Sequence, residues 1–192
     1  MGSFDYITVL VAVVVGLAIG DQALSLHRLL RDRSRVRWDW VSPLAALLIL
    51  TELCNFWWQW RGFSGTTLGA VAPYFVSLIL LFLTAAVTLP DGVPEKGVDL
   101  GEYFDENRSY FWTLYGLYVL TYAPLIVWRK IGAGQSISQI VQVHFFDALS
   151  IVVFFAMTQV KPRWISGIVM VASLAWFVWG FDWLSRPLVS TY

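Results

Sequence analysis

Six apolar runs, each close to the roughly 20 residues that cross the hydrocarbon core of a bilayer, take up most of this 192-residue chain. In lipid, every backbone N–H and C=O must be satisfied within the protein, so a spanning chain folds as helices or as a closed barrel. Barrel strands would appear as alternating segments of roughly 10 residues. The runs here are continuous, so helices are expected. They fall at about 6–26, 41–60, 68–89, 111–128, 137–159 and 164–183. Composition agrees: 58% of residues are hydrophobic and 14% charged, with a mean hydropathy of +0.65. The expected fold is an all-α polytopic membrane bundle of six transmembrane helices, forming a single domain over 1–192.

Orientation follows from the basic residues. Arg28, Arg31, Arg33, Arg35 and Arg37 follow the first run, Lys96 and Arg108 the third, and Lys161 and Arg163 the fifth. These nine share one side; Arg61, Arg129, Lys130 and Arg186 make four on the other. The richer side is expected to be cytoplasmic, with both termini outside, in a plasma or bacterial inner membrane. No Lys or Arg precedes the first run, and no small-residue cleavage motif follows it, so it reads as a retained span. Tryptophans such as Trp38, Trp40, Trp60, Trp128 and Trp164 fall near the expected interfaces, as amphipathic rings do.

One connection, from Pro90 to Tyr110, is long. After the turn residues Pro90, Asp91, Gly92 and Pro94, Asp99 has the spacing of an N-cap, with Glu102 three residues on. The pattern predicts a short amphipathic helix at about 99–108, lying at the cytoplasmic interface before the fourth span. This loop carries a net charge of −4, against +3 in the arginine loop from Arg28 to Asp39. An acidic helix binds anionic lipid poorly. The expected contact surface therefore pairs Arg31, Arg33, Arg35 and Arg37 with Glu102, Asp105 and Glu106, or offers either set to another subunit; a solvated charged face is the plain alternative.

Ionisable groups within spans are costly, and they mark functional sites unless they are structural. Glu52, Asn55 and Gln59 share a face of the second span, at i, i+3 and i+7. The fifth span carries Gln139 and Gln142 toward its outer end, then His144 and Asp147 at a spacing that lets them touch. By helical rise, Glu52 and Asp147 lie within about 3 Å of the midplane, and His144 about 6 Å further out. If the second and fifth helices are neighbours, these groups form one buried cluster reached between the Asn and Gln side chains. Secondary candidates are Asp21, which shares a face with Arg28, and Tyr118 or Tyr122 as donors to a buried carboxylate, from a stripe that also includes Tyr115. Glu52 and Asp147 each occupy the middle helix of a three-helix half, an arrangement compatible with inverted halves, although the halves share no residue pattern.

Several chemistries find no support. His27 and His144 are offset by about 15–20 Å along the membrane normal, too far for one haem. There is no His-Glu-x-x-His motif, no P-loop and no dinucleotide fingerprint, so neither cofactor nor nucleotide is expected. Zero net charge gives no reason to expect nucleic acid. The single cysteine, Cys54, excludes an intrachain disulfide. Glu52, His144 and Asp147, with Cys54, have suitable types for a metal site, but residues 52 and 54 point to different faces. Proton or small-cation movement through the bundle, using Glu52, Asp147 and His144, is the expected function. A non-catalytic accessory subunit of a larger membrane complex, or a homo-oligomer, is the rival from another class, and an intramembrane enzyme or metal site is a third.

Overall fold

The computed structural model describes residues 3–60 and 67–180. It is all-α, with helices α1 (Ser3–Arg31), α2 (Val41–Trp60), α3 (Leu68–Ala86), α4 (Leu100–Gly132), α5 (Ile137–Met157) and α6 (Arg163–Gly180). A single 3-10 turn (Arg33–Arg35) and two short strands, β1 (Val36–Arg37) and β2 (Val98–Asp99), lie in the connections. Four helices, α1 to α4, are long and apolar enough to cross a membrane. Among the described residues, the strongly apolar stretches of α5 and α6 are shorter, His144–Met157 and Arg163–Phe177.

Contacts between helix ends show that successive helices run in opposite directions. Trp60 of α2 donates to Thr8 of α1 at 3.3 Å, joining the end of α2 to the start of α1. Ser42 at the start of α2 donates to the Leu100 carbonyl at 3.0 Å, and Trp112 of α4 to Ser166 of α6 at 3.3 Å, at the opposite end. Helix α4 is the organiser, packing most extensively on α3 and α5, while α2 lies against α1, α4 and α6. The outer faces are greasy: Leu17 on α1, Ile79 on α3, Val152 on α5 and Ile168 on α6 are all more than half exposed. Apolar exteriors on this scale suit contact with acyl chains. Hydroxyls within the helices bond back to carbonyls one turn earlier, as in Thr51 to Leu47 and Thr84 to Leu80, so they carry no unmet polar demand.

The sequence reading of a separate interfacial helix at 99–108 is corrected. Asp99 is the N-cap expected, its carboxylate accepting from the Gly101 and Glu102 N–H groups at 2.7 and 3.1 Å. The helix it opens then continues without a break for 33 residues, a rod about 50 Å long. No breaker interrupts residues 102–110; Asn107 donates back to the Tyr103 carbonyl at 2.9 Å, and Arg108 reaches across to the Lys161 carbonyl at 2.8 Å. The first turns of α4 are therefore the start of one long helix and not a separate element.

These first turns of α4 anchor a clasp where the starts of α2, α4 and α6 meet. β1 and β2 pair in parallel, Val36 with Val98 and Arg37 with Asp99. Arg37 also forms an ion pair with Asp99 at 3.2 Å. Arg163, opening α6, donates to Asp105 at 2.6 Å and to Asp39 at 3.0 Å, so one guanidinium ties three connections together. Asp39 in turn accepts from the Val41 N–H at 2.9 Å and starts α2. The two charged loops do meet, but through other partners than the spacing suggested. Arg35 bonds Asp32 within its own loop at 2.7 Å, and Arg31, Arg33, Glu102 and Glu106 remain exposed. The missing cation was Arg163, which sequence distance hid.

Candidate functional site

Helix α2 turns Glu52, Asn55 and Gln59 toward the bundle interior, and α4 answers with Tyr115, Tyr118 and Tyr122 at the same spacing. Glu52 is buried, at 5% exposure. The Tyr115 hydroxyl donates to one carboxylate oxygen at 2.8 Å, and the Tyr118 hydroxyl to the other at 3.2 Å. A buried carboxyl group left without donors would cost several kcal/mol; two phenols offset that cost. The three tyrosine rings are stacked in turn, with centroids 6.1 and 5.5 Å apart, which holds the hydroxyls in place. Tyr122 packs on Phe56 and Tyr74 and lines the same space.

On α5, His144 Nδ1 and the Asp147 carboxylate form a hydrogen bond across one turn. The other ring nitrogen of His144, Nε2, is buried without a hydrogen-bond partner among the described residues. Both residues face the same cavity as Glu52, a space of about 420 Å³ bounded by α2, α4, α5 and α6. Asn55, Gln59, Tyr118 and Tyr122 border it too. Helices α2 and α5 make no extended contact among the described residues. Glu52 and the His144–Asp147 pair therefore look at each other across a void, without the direct helix adjacency on which the sequence reading made their meeting conditional.

The inner end of the cavity is closed by aromatic packing. Phe154 stacks on Tyr115 at 4.6 Å and on Trp112 at 5.4 Å, and the Trp112 indole is tied to Ser166. The Arg163 clasp lies one further layer inward. At the outer end, Arg129 donates to the Gln59 carbonyl at 3.1 Å, and Lys130 borders the opening. Trp176 of α6 and Phe146 of α5, 4.6 Å apart, form the outer wall.

Some expected members lie elsewhere. The side chains of Gln139 and Gln142 are outside the described residues. Asp21 stands half-buried on α1, which does not border the cavity. Its expected partner, Arg28, instead donates to the Asp91 carbonyl at 2.6 Å, and the buried polar link of that helix is Gln22 to Thr88 at 3.1 Å. Among the described residues, no three His, Cys, Asp or Glu side chains gather as a metal site. The set Glu52, His144 and Asp147 is divided by the cavity, and Cys54 is exposed on another face of α2. Tyr115, Trp112 and Phe154 were not singled out from sequence; only Tyr115 carried a signal, as the first member of the tyrosine stripe.

No family model, no curated protein and no solved structure matches this chain.

Proposed function

We propose that the chain is a single six-helix transmembrane domain that moves protons, or a small cation, through this cavity. Glu52 and Asp147 are the charge-carrying groups on this reading, and His144 is their titratable neighbour. The observation that carries it is the convergence of Glu52, from the first half of the chain, with His144 and Asp147, from the second, on one internal space. In support of six spans, α5 has 21 residues and α6 has 18, which correspond to about 32 and 27 Å of helix. The basic residues favour both termini outside, in a plasma or bacterial inner membrane. Asn55 and Gln59 border the outer vestibule on this reading.

The aromatic layer and the clasp both lie on the inner side of Glu52. Passage on this reading needs a rearrangement of Trp112, Tyr115 and Phe154, so it resembles carrier-like translocation more than flow through an open pore. The test is proton flux into liposomes that hold the purified protein, under an imposed potential. Wild type is expected to exceed empty liposomes, and Glu52→Gln and Asp147→Asn to fall to the empty level. Wild-type flux equal to empty liposomes would remove the reading.

The accessory-subunit reading draws on the exposed Arg31, Arg33, Glu102 and Glu106 at the inner end, charges that the clasp does not use. Native mass measurement of the purified protein, with an unrelated subunit present in fixed ratio, would favour it.

A further inference from the structure

The cavity is larger and more aromatic than a proton or an alkali cation needs. A bare metal cation takes a cage of oxygens at close range. Here two carboxylates face each other across about 420 Å³ walled by the rings of Tyr118, Tyr122, Phe146, Phe154 and Trp176. That volume lies within the range of small-molecule sites, which are mostly apolar with a few placed polar groups. Glu52 forms no ion pair with Lys, Arg or His among the described residues; its donors are the Tyr115 and Tyr118 hydroxyls and the Asn55 side chain, all neutral. The basic residues of α4 stand well away from Tyr118: Arg108 lies 10 residues before it, and Arg129 and Lys130 lie 11 and 12 residues beyond it, about 15–18 Å along the helix. Aromatic faces attract organic cations, and more strongly where water is excluded.

We propose that the cavity binds a lipophilic organic cation, an aromatic amine or quaternary ammonium, with its charge directed at Glu52 and Asp147 and its apolar body against the Tyr118, Tyr122 and Trp176 rings. The inference deepens the translocation reading and rests on this cavity being the working site. It makes the cargo an organic cation in place of a bare metal ion.

The test is calorimetric titration of the full-length protein in lipid nanodiscs, with empty nanodiscs subtracted. The probes are phenyltrimethylammonium, whose charge is permanent, and tert-butylbenzene, its neutral isostere. Wild type is expected to bind the cation at least about tenfold more tightly than the isostere. Glu52→Gln and Asp147→Asn are each expected to weaken the cation by about tenfold and to leave the isostere unchanged. Equal affinity of wild type for both probes overturns the proposal, and this arm requires no variant to fold. Unchanged cation affinity in both variants overturns it as well. The two readings fail separately. Carboxylate-dependent proton flux without cation binding sinks the ligand class and leaves translocation standing, whereas charge-selective binding without flux does the reverse.

Discussion

At Glu52, two phenolic donors, with the Asn55 side chain beside them, meet the polar demand of a buried carboxyl group. Tyr115→Phe removes the shorter bond and keeps the ring, so the protein is expected to lose about 1–3 kcal/mol of stability. Adding Glu52→Gln should cost less than the sum of the two single changes, because the second change relieves part of the demand left by the first. Thermal unfolding in detergent, read as a double-mutant cycle, checks this; strict additivity would mean that the contact carries no energy. The stripe at Tyr115, Tyr118 and Tyr122 was visible in the sequence, and so was the polar face of α2. Which tyrosines would meet Glu52 was not, because periodicity fixes the face of a helix but leaves its height against a neighbour open. Tyr122, one turn too far out, packs on Phe56 and Tyr74.

The inner clasp shows how two connecting elements set the position of α4. The Glu102 and Gly101 N–H groups and Arg37 hold the Asp99 carboxyl below the usual carboxylate range, with Arg163 adding to the effect. A group depressed in the folded state stabilises the fold above its unfolded pKa, about 3.9, and that contribution disappears as pH falls through the lower folded value. Protection of the Gly101 and Glu102 amides, measured against their intrinsic exchange rates, should therefore be high at neutral pH and fall as pH drops below about 4. Asp99→Asn, which keeps a capping oxygen, should flatten that dependence. Protection that follows pH identically in both proteins would contradict the cap's charge. Gly97 sits at φ +83°, and a Cβ there would collide with the Arg35 carbonyl. Gly97→Ala is expected to destabilise by about 1–3 kcal/mol by loosening the β1–β2 pairing, measurable as a lower unfolding temperature. At this scale the N-cap was legible from Asp99 and Glu102. The parallel ribbon was not, because two-residue strands carry no periodic signal, and neither was the role of Arg163, which lies 124 residues from Asp39.

For the whole molecule, the proposed topology, with the end that carries nine basic residues in the cytoplasm, makes a definite labelling prediction. In a Cys54→Ser background, Lys96→Cys is expected to react with an impermeant maleimide only from the cytoplasmic side, and Ser136→Cys only from the outside. Both reacting from one side would mean that α4 does not span. The starts of α2 and α3 were readable almost to the residue, since hydropathy marks where a chain enters lipid. Lateral neighbours were not readable: the choice of α4 and α6 as partners of α2 comes from shape, as where the Trp40 indole lies against Gly167 and leaves no room for a side chain there. The cavity between α2 and α5 is a product of that packing, so the groups around it could be named from sequence while the void could not.

The central claim is that Glu52 is the group through which charge passes. A hydrophobic carbodiimide couples to carboxyl groups in apolar surroundings and leaves a mass tag. Residual proton flux should be measured against the fraction of Glu52 tagged, by peptide mass analysis of the same liposomes. Flux is expected to fall linearly to the empty-liposome level as tagging at Glu52 approaches completion. Full tagging with flux intact, or flux lost while Glu52 remains unmodified, would contradict the account.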